Sequence, residues 1–222
     1  MLSMKRLTAM AAASITLIVG ASCVRKPATT PPGEPSPGLD REAASDLGFT
    51  RDVLEKIEAA AGAPLEPVTD WEGVMTGVQA PVPEGQIDDI RESLDADLEP
   101  LGFLVFQSEM GFAMGPDKVG AVRGSDHYDI LRAVQTDGAN YDIMNDDIIA
   151  KLKEWEKQCE FEITGAGGDW LQAKFVEMPP NMDAFAAEVY EFCPDVVDQG
   201  AGDVHALAVE MALENSLYLW WD

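Results

Sequence analysis

Apolar positions recur along the chain with two periods, and their succession lays out the elements. Leu54, Ile57 and Ala61 share one face of a helix that Thr50 opens as a cap and that Gly62 and Pro64 stop. Over 71–80 the period falls to two. Val74, Thr76 and Val78 alternate with Met75, Gly77 and Gln79, which predicts a strand. Pro83-Glu84-Gly85 turns the chain into a helix striped by Ile87, Ile90, Leu94 and Leu98. Two strands follow at 103–107 and 119–123, then a short helix from Ser125 through Tyr128, Leu131 and Val134.

The same succession returns further on. Tyr141-Asp142-Ile143 reads as a strand, and Asn145 as the cap of a helix with Ile148, Ile149, Leu152, Trp155 and Cys159 on one face. Asp146 and Asp147 stand in its first turn and Lys153 and Lys157 late, as the helix dipole favours. Phe161 and Ile163, then Leu171, Ala173 and Phe175, make a hairpin around Gly165-Ala166-Gly167-Gly168. Asn181 caps a helix that carries Phe185, Ala186 and Val189 inward and ends at Pro194. Asp203 caps another through Leu207, Ala208 and Met211, and 217–221 reads as a final strand. Strand, helix, hairpin and helix thus occur twice, around 74–135 and 141–193. The expected class is α+β, with antiparallel sheet and helices on one face. It is built either as a tandem of two ferredoxin-like units, 49–138 and 139–222, or as one domain with a continuous sheet.

Ahead of this region the pattern changes character. Lys5 and Arg6 precede an apolar run over 7–19, and Gly20-Ala21-Ser22 leads into Cys23. The run is short for a membrane span, and a basic start followed by small residues fits a signal peptide over 1–22. Small residues immediately before a cysteine resemble the lipobox of bacterial lipoproteins, although Gly20 stands where that family prefers a branched residue. The resemblance implies cleavage before Cys23 and acylation of that cysteine by a chain such as palmitate. The other reading is an ordinary cleaved signal with Cys23 incidental. Residues 23–48 suit a tether, since Pro27, Pro31, Pro32, Pro35 and Pro37 sit among small polar residues without apolar periodicity. Val24 stands where the inner-membrane retention pattern has Asp, which favours the outer membrane for a domain held in the periplasm or at the surface.

Charge narrows the partners. The chain has 15 basic and 40 acidic residues, a net charge of −25; without residues 1–22, and so without Lys5 and Arg6, the charge is −27. Such a surface repels a nucleic-acid backbone, which needs Lys and Arg at its phosphates. It suits solubility, cations or a basic protein partner, and the membrane is reached through the lipid.

Cys159 and Cys193 complete the cysteine count. Outside the cytoplasm they can pair, and each equally fits a small buried core position. No cofactor motif is present, and Gly165-Ala166-Gly167-Gly168 lacks the Lys-Ser/Thr of a phosphate loop. Asp126-His127-Tyr128-Asp129 puts a histidine between carboxylates, but zinc wants several His or Cys donors and the only other histidine is His205. No metal site is therefore expected there.

The densest polar turn is Cys193-Pro194-Asp195-Val196-Val197-Asp198-Gln199-Gly200. Asp195, Asp198 and Gln199 can serve turn and cap hydrogen bonds, or offer oxygens to a hard cation at a spacing unlike an EF-hand. In the terminal Trp220-Trp221-Asp222, alternation sends one ring to the core and the other to the opposite face. These segments, with Asn140-Tyr141-Asp142-Ile143 and Asp147-Ile148-Ile149, resemble a bacterial family filed as domain of unknown function four-two-five-three. The resemblance covers 139–222 and is loose over 50–135. The family has no established activity, many members look cytosolic, and the lipoprotein-like start is a departure. Two functions follow. One is a non-catalytic interaction module that presents Asp195, Asp198, Gln199, Trp220, Trp221 and Asp222. The other is an enzyme of unknown reaction using Asp195, Asp198 and His205. The lack of catalytic motifs favours the first.

Overall fold

Side-chain caps set most of the helix boundaries in the computed structural model, which describes residues 38–111 and 115–222. The expected signal peptide, Cys23 and residues 23–37 of the tether lie outside the described residues. Thr50 Oγ1 accepts the Val53 amide at 3.4 Å and opens α2 (Arg51–Ala61), and Gly62 closes it at φ +69°. Asn181 and Asp203 open α6 (Met182–Phe192) and α7 (Val204–Glu214), accepting amides at 3.1 and 2.9 Å. α5 (Asn145–Trp155) departs from expectation, because its cap is Met144. The Asp147 carboxylate reaches back to the Met144 amide at 3.0 Å. Asn145 instead donates to the carbonyls of Leu131 and Thr136, both at 2.9 Å, and so ties α5 to the end of α4 (Tyr128–Val134).

The strands are β1 (Glu66–Thr69), β2 (Met75–Pro81), β3 (Phe103–Glu109), β4 (Lys118–Arg123), β5 (Glu160–Ala166), β6 (Trp170–Glu177) and β7 (Ser216–Trp220). They form one sheet in the order β1-β2-β4-β3-β5-β6-β7, antiparallel at every junction but β3–β5. The α+β class and the largely antiparallel sheet hold, and of the two expected arrangements the single continuous sheet is the one found. A tandem of complete ferredoxin-like units fails at one element. Tyr141-Asp142-Ile143 forms no strand; Ala139–Tyr141 is a 3₁₀ turn, followed by a lone bridge between Gly138 and Ile143. Without a first strand of its own, the second half joins the sheet by setting β5 beside β3. The strand expected over 71–80 is also corrected. Its N-terminal part is the β1–β2 turn, where Asp70 accepts the amides of Glu72 and Val74 at 2.9 Å and Trp71 is exposed.

Strand alternation divides the core in two. Along β3, Phe103 and Val105 join one cluster, with Leu54, Ile57, Leu94 and Leu98. Leu104 and Phe106 face the other, with Tyr128, Leu131 and Trp155. Hence α1 (Arg41–Asp46), α2 and α3 (Ile87–Leu98) cover one face and α4–α7 the other, which corrects the expectation of helices on one face. The second core runs unbroken from Val68 and Val122 to Leu219 and Trp221, so it spans the boundary drawn at 138/139. Trp155 anchors it, edge-on to Phe185 at 5.3 Å and Phe192 at 5.7 Å, and this fixes α6 against α5. Burial of each such ring contributes about 1.5–3 kcal/mol. No helix among the described residues is long and apolar enough to cross a membrane.

Candidate functional site at the β7 end of the sheet

α6 ends at Phe192 because Pro194 cannot continue it, and the chain then widens instead of making a tight turn. Val196–Ala201 is a π-helical segment, with the Gly202 amide donating to the Val197 carbonyl at 2.9 Å. At its start Asp195 is only 4% exposed. Its Oδ1 accepts the Tyr141 hydroxyl at 2.7 Å and the Gln199 side-chain amide at 2.9 Å, and its Oδ2 accepts the Asp222 amide at 2.9 Å. Burial pushes this carboxyl upward, but the Asp222 amide and then the Tyr141 and Gln199 donors outweigh it and hold the pKa below the usual carboxylate value. The same bond to Asp195 raises the Tyr141 phenol to about 12.

The two tryptophans separate as their alternation requires. Trp221 is 2% exposed, edge-on to Phe192 at 5.9 Å, while Trp220 is half-buried on the opposite face. Cys193, fully buried, sits against the backbone of Trp220: its thiol donates to the Trp220 carbonyl at 3.0 Å, and the Trp220 amide lies 3.4 Å from the sulfur. Burial raises this thiol to about 12. Cys159 donates to the Trp155 carbonyl at 3.3 Å and is raised to about 11 for the same reason. Both cysteines are free, so the disulfide alternative is not formed.

The remaining candidates do not gather into a reactive set. Asp198 is exposed and accepts the Tyr190 hydroxyl at 3.0 Å. His205 pairs with Asp183 at 2.8 Å, a bond that raises its pKa. His127 is lowered by burial and lies 3.5 Å from Glu156, while Asp129 accepts the Ser125 and Asp126 amides and pairs with Arg132 at 2.6 Å. Among the described residues no group of three or more His, Cys, Asp or Glu side chains is disposed to hold a metal ion.

Beside β7 a groove of about 210 Å³ opens between the strand, the π-helical segment and α7. Val196, Ala201, Leu207 and Met211 form its apolar walls, and the exposed Glu210 and Glu214 its rim. Sequence reasoning did not single out Glu210 and Glu214, and it took up Tyr141 only within a segment of family resemblance, not as a partner of Asp195. Tyr141 reaches Asp195 over 54 positions, a contact that no local pattern encodes, and the glutamates look like any polar helix face.

Residues 118–222 match the family model described as Domain of unknown function (DUF4253). The match begins at β4, earlier than the resemblance over 139–222, and takes in Tyr141, the π-helical segment, the groove and β7. No curated protein and no solved structure matches the chain.

Proposed function

We propose that this chain is a lipid-tethered, non-catalytic protein-interaction module of the bacterial cell envelope, with its recognition surface at the β7 end of the sheet. The observation that carries the reading is the pairing of an open, apolar-walled groove with an acidic rim, Glu210 and Glu214, in a chain of net charge −25. A basic partner fits such a rim. Asp195 and Trp221 support the surface from within, while Asp198, Gln199 and Asp222 are exposed around it and Trp220 is half-buried. The tether rests on the Gly20-Ala21-Ser22-Cys23 sequence and the proline-rich stretch after it, and the outer membrane is the favoured location. The enzyme reading finds no support in the geometry, since Asp195, Asp198 and His205 each hold a different partner.

The test is capture from native membranes, comparing tagged wild type with a Glu210→Lys, Glu214→Lys variant. Both substitutions are at exposed positions and leave the core untouched. A partner retained by the wild type and lost by the variant supports the module. Recovery unchanged by the reversal removes the groove from recognition.

A further inference from the structure

β7 is the last strand of the sheet, and among the described residues its outer edge is open over a defined stretch. The Trp221 amide donates to the Asp169 carbonyl and the Phe175 amide to the Asn215 carbonyl, both at 3.0 Å. Odd-numbered residues of this strand therefore bond to β6, and Ser216, Tyr218 and Trp220 turn their N–H and C=O groups outward. Cys193 closes the Trp220 pair. Asp195 closes the next outward amide, that of Asp222. Among the described residues nothing closes Ser216 or Tyr218, which leaves two N–H and two C=O groups facing the groove.

The opposite edge of the sheet is treated differently. β1 has four residues and contains Pro67, and the side chains of Gln79 and Thr76 occupy the carbonyls of Pro67 and Val68 at 3.1 and 3.5 Å. Shortness and proline are the usual means of blunting an edge against another strand. β7 has neither proline nor charge in Ser216-Leu217-Tyr218-Leu219-Trp220. An unblunted edge beside an apolar groove is the geometry of strand addition.

We propose that β7 accepts an extended segment of a partner protein as a further strand of the sheet, with Lys or Arg at every second position. The proposal rests on the interaction-module reading and names its partner class. Side chains on the α7 side of the added strand bring their cations to the exposed Glu210 and Glu214 at the rim. Neither glutamate has an ion pair among the described residues. A second copy of this chain is a poor occupant, because it would bring a second rim of glutamates and another −25 charges to the same edge.

The probe is an acetylated, amidated hexapeptide alternating lysine and valine, titrated into the full chain in detergent micelles and followed by amide hydrogen exchange. Saturation is expected to slow exchange at Ser216 and Tyr218 by at least about tenfold and to leave Trp220 unchanged. Glu210→Lys with Glu214→Lys is expected to weaken binding by at least about tenfold. Tyr218→Pro removes one outward N–H without touching the β6 ladder and abolishes binding; should that variant fail to fold, a peptide with N-methylated valines asks the same question of the unaltered protein and is expected not to bind. Absence of binding, binding that leaves the Ser216 and Tyr218 amides unchanged, or equal binding of the N-methylated peptide overturns the proposal. If that happens while rim-dependent capture from membranes persists, the module stands and strand addition falls. If both fail, the module reading falls as well.

Discussion

The hydroxyl of Tyr141 donates to Oδ1 of Asp195 across 2.7 Å, joining a 3₁₀ turn to the start of a π-helical segment 54 positions away. Asp195 in turn holds Gln199 and the Asp222 amide, so one buried carboxylate fixes three segments around the open end of β7. The residue singled out in the sequence as a binding candidate is the brace beneath the surface.

Asp195→Ala should therefore destabilise the fold, by about 1–2 kcal/mol, because it removes the one acceptor shared by Tyr141, Gln199 and the Asp222 amide. Tyr141→Phe, which removes one donor at a half-open position, should cost about 1 kcal/mol. Urea unfolding midpoints at neutral pH check both, and the order of the two variants is the informative result.

Acid should act through the same carboxyl. Its folded pKa lies below the ordinary value, so its contribution is complete above about pH 4 and is lost as pH falls through the folded pKa. Asp195→Asn cannot titrate. The stability gap between wild type and Asp195→Asn should shrink as urea unfolding is repeated from pH 7 down to about pH 3.

Both described thiols should be silent in the folded protein. With Cys193 raised to about 12 and Cys159 to about 11, a Cys23→Ser chain is expected to give no reaction with a thiol reagent at neutral pH. Two equivalents should appear on unfolding in urea. A full equivalent in the native state would mean that one of the two sites opens.

Gly138 packs flat against Trp221, and a Cβ built there would lie 3.0 Å from Cγ and Cδ1 of the ring. Trp221 is buried and cannot yield freely, so Gly138→Ala is expected to cost about 1–3 kcal/mol. Thermal unfolding of the single variant measures it.

The proposed lipid tether makes a separate prediction. Cys23→Ser should abolish incorporation of a labelled palmitate analogue and release the chain from the membrane fraction, with the folded domain unchanged by circular dichroism. Retention in membranes together with loss of label would point to another anchor.

Most helices and the second hairpin were legible in the sequence because their information is local. Thr50, Asn181 and Asp203 cap where their side-chain chemistry says they should, and Phe161, Ile163, Leu171, Ala173 and Phe175 alternate as a half-buried hairpin must. β1 was not legible, since Pro67 reads as loop and only pairing with β2 makes Glu66–Thr69 a strand. Asn145 looked like a cap, yet its amide was claimed by carbonyls at Leu131 and Thr136, a tertiary demand invisible from its neighbours. At the site, the burial of one tryptophan followed from alternation. That Asp195 would be satisfied by Tyr141 and Asp222, and Cys193 by the Trp220 backbone, depended on contacts across long stretches of chain.

β4 lies between β2 and β3, and the span matched by the family model begins at its first residue. A fragment cut at Lys118 would take an inner strand of the block β1-β2-β4-β3 and leave both its neighbours behind. Such a piece would bare two long ladders of backbone donors and acceptors together with the faces of Val119, Ala121 and Val122. In this chain, then, residues upstream of 118 supply both strands that pair with the first strand of the matched span.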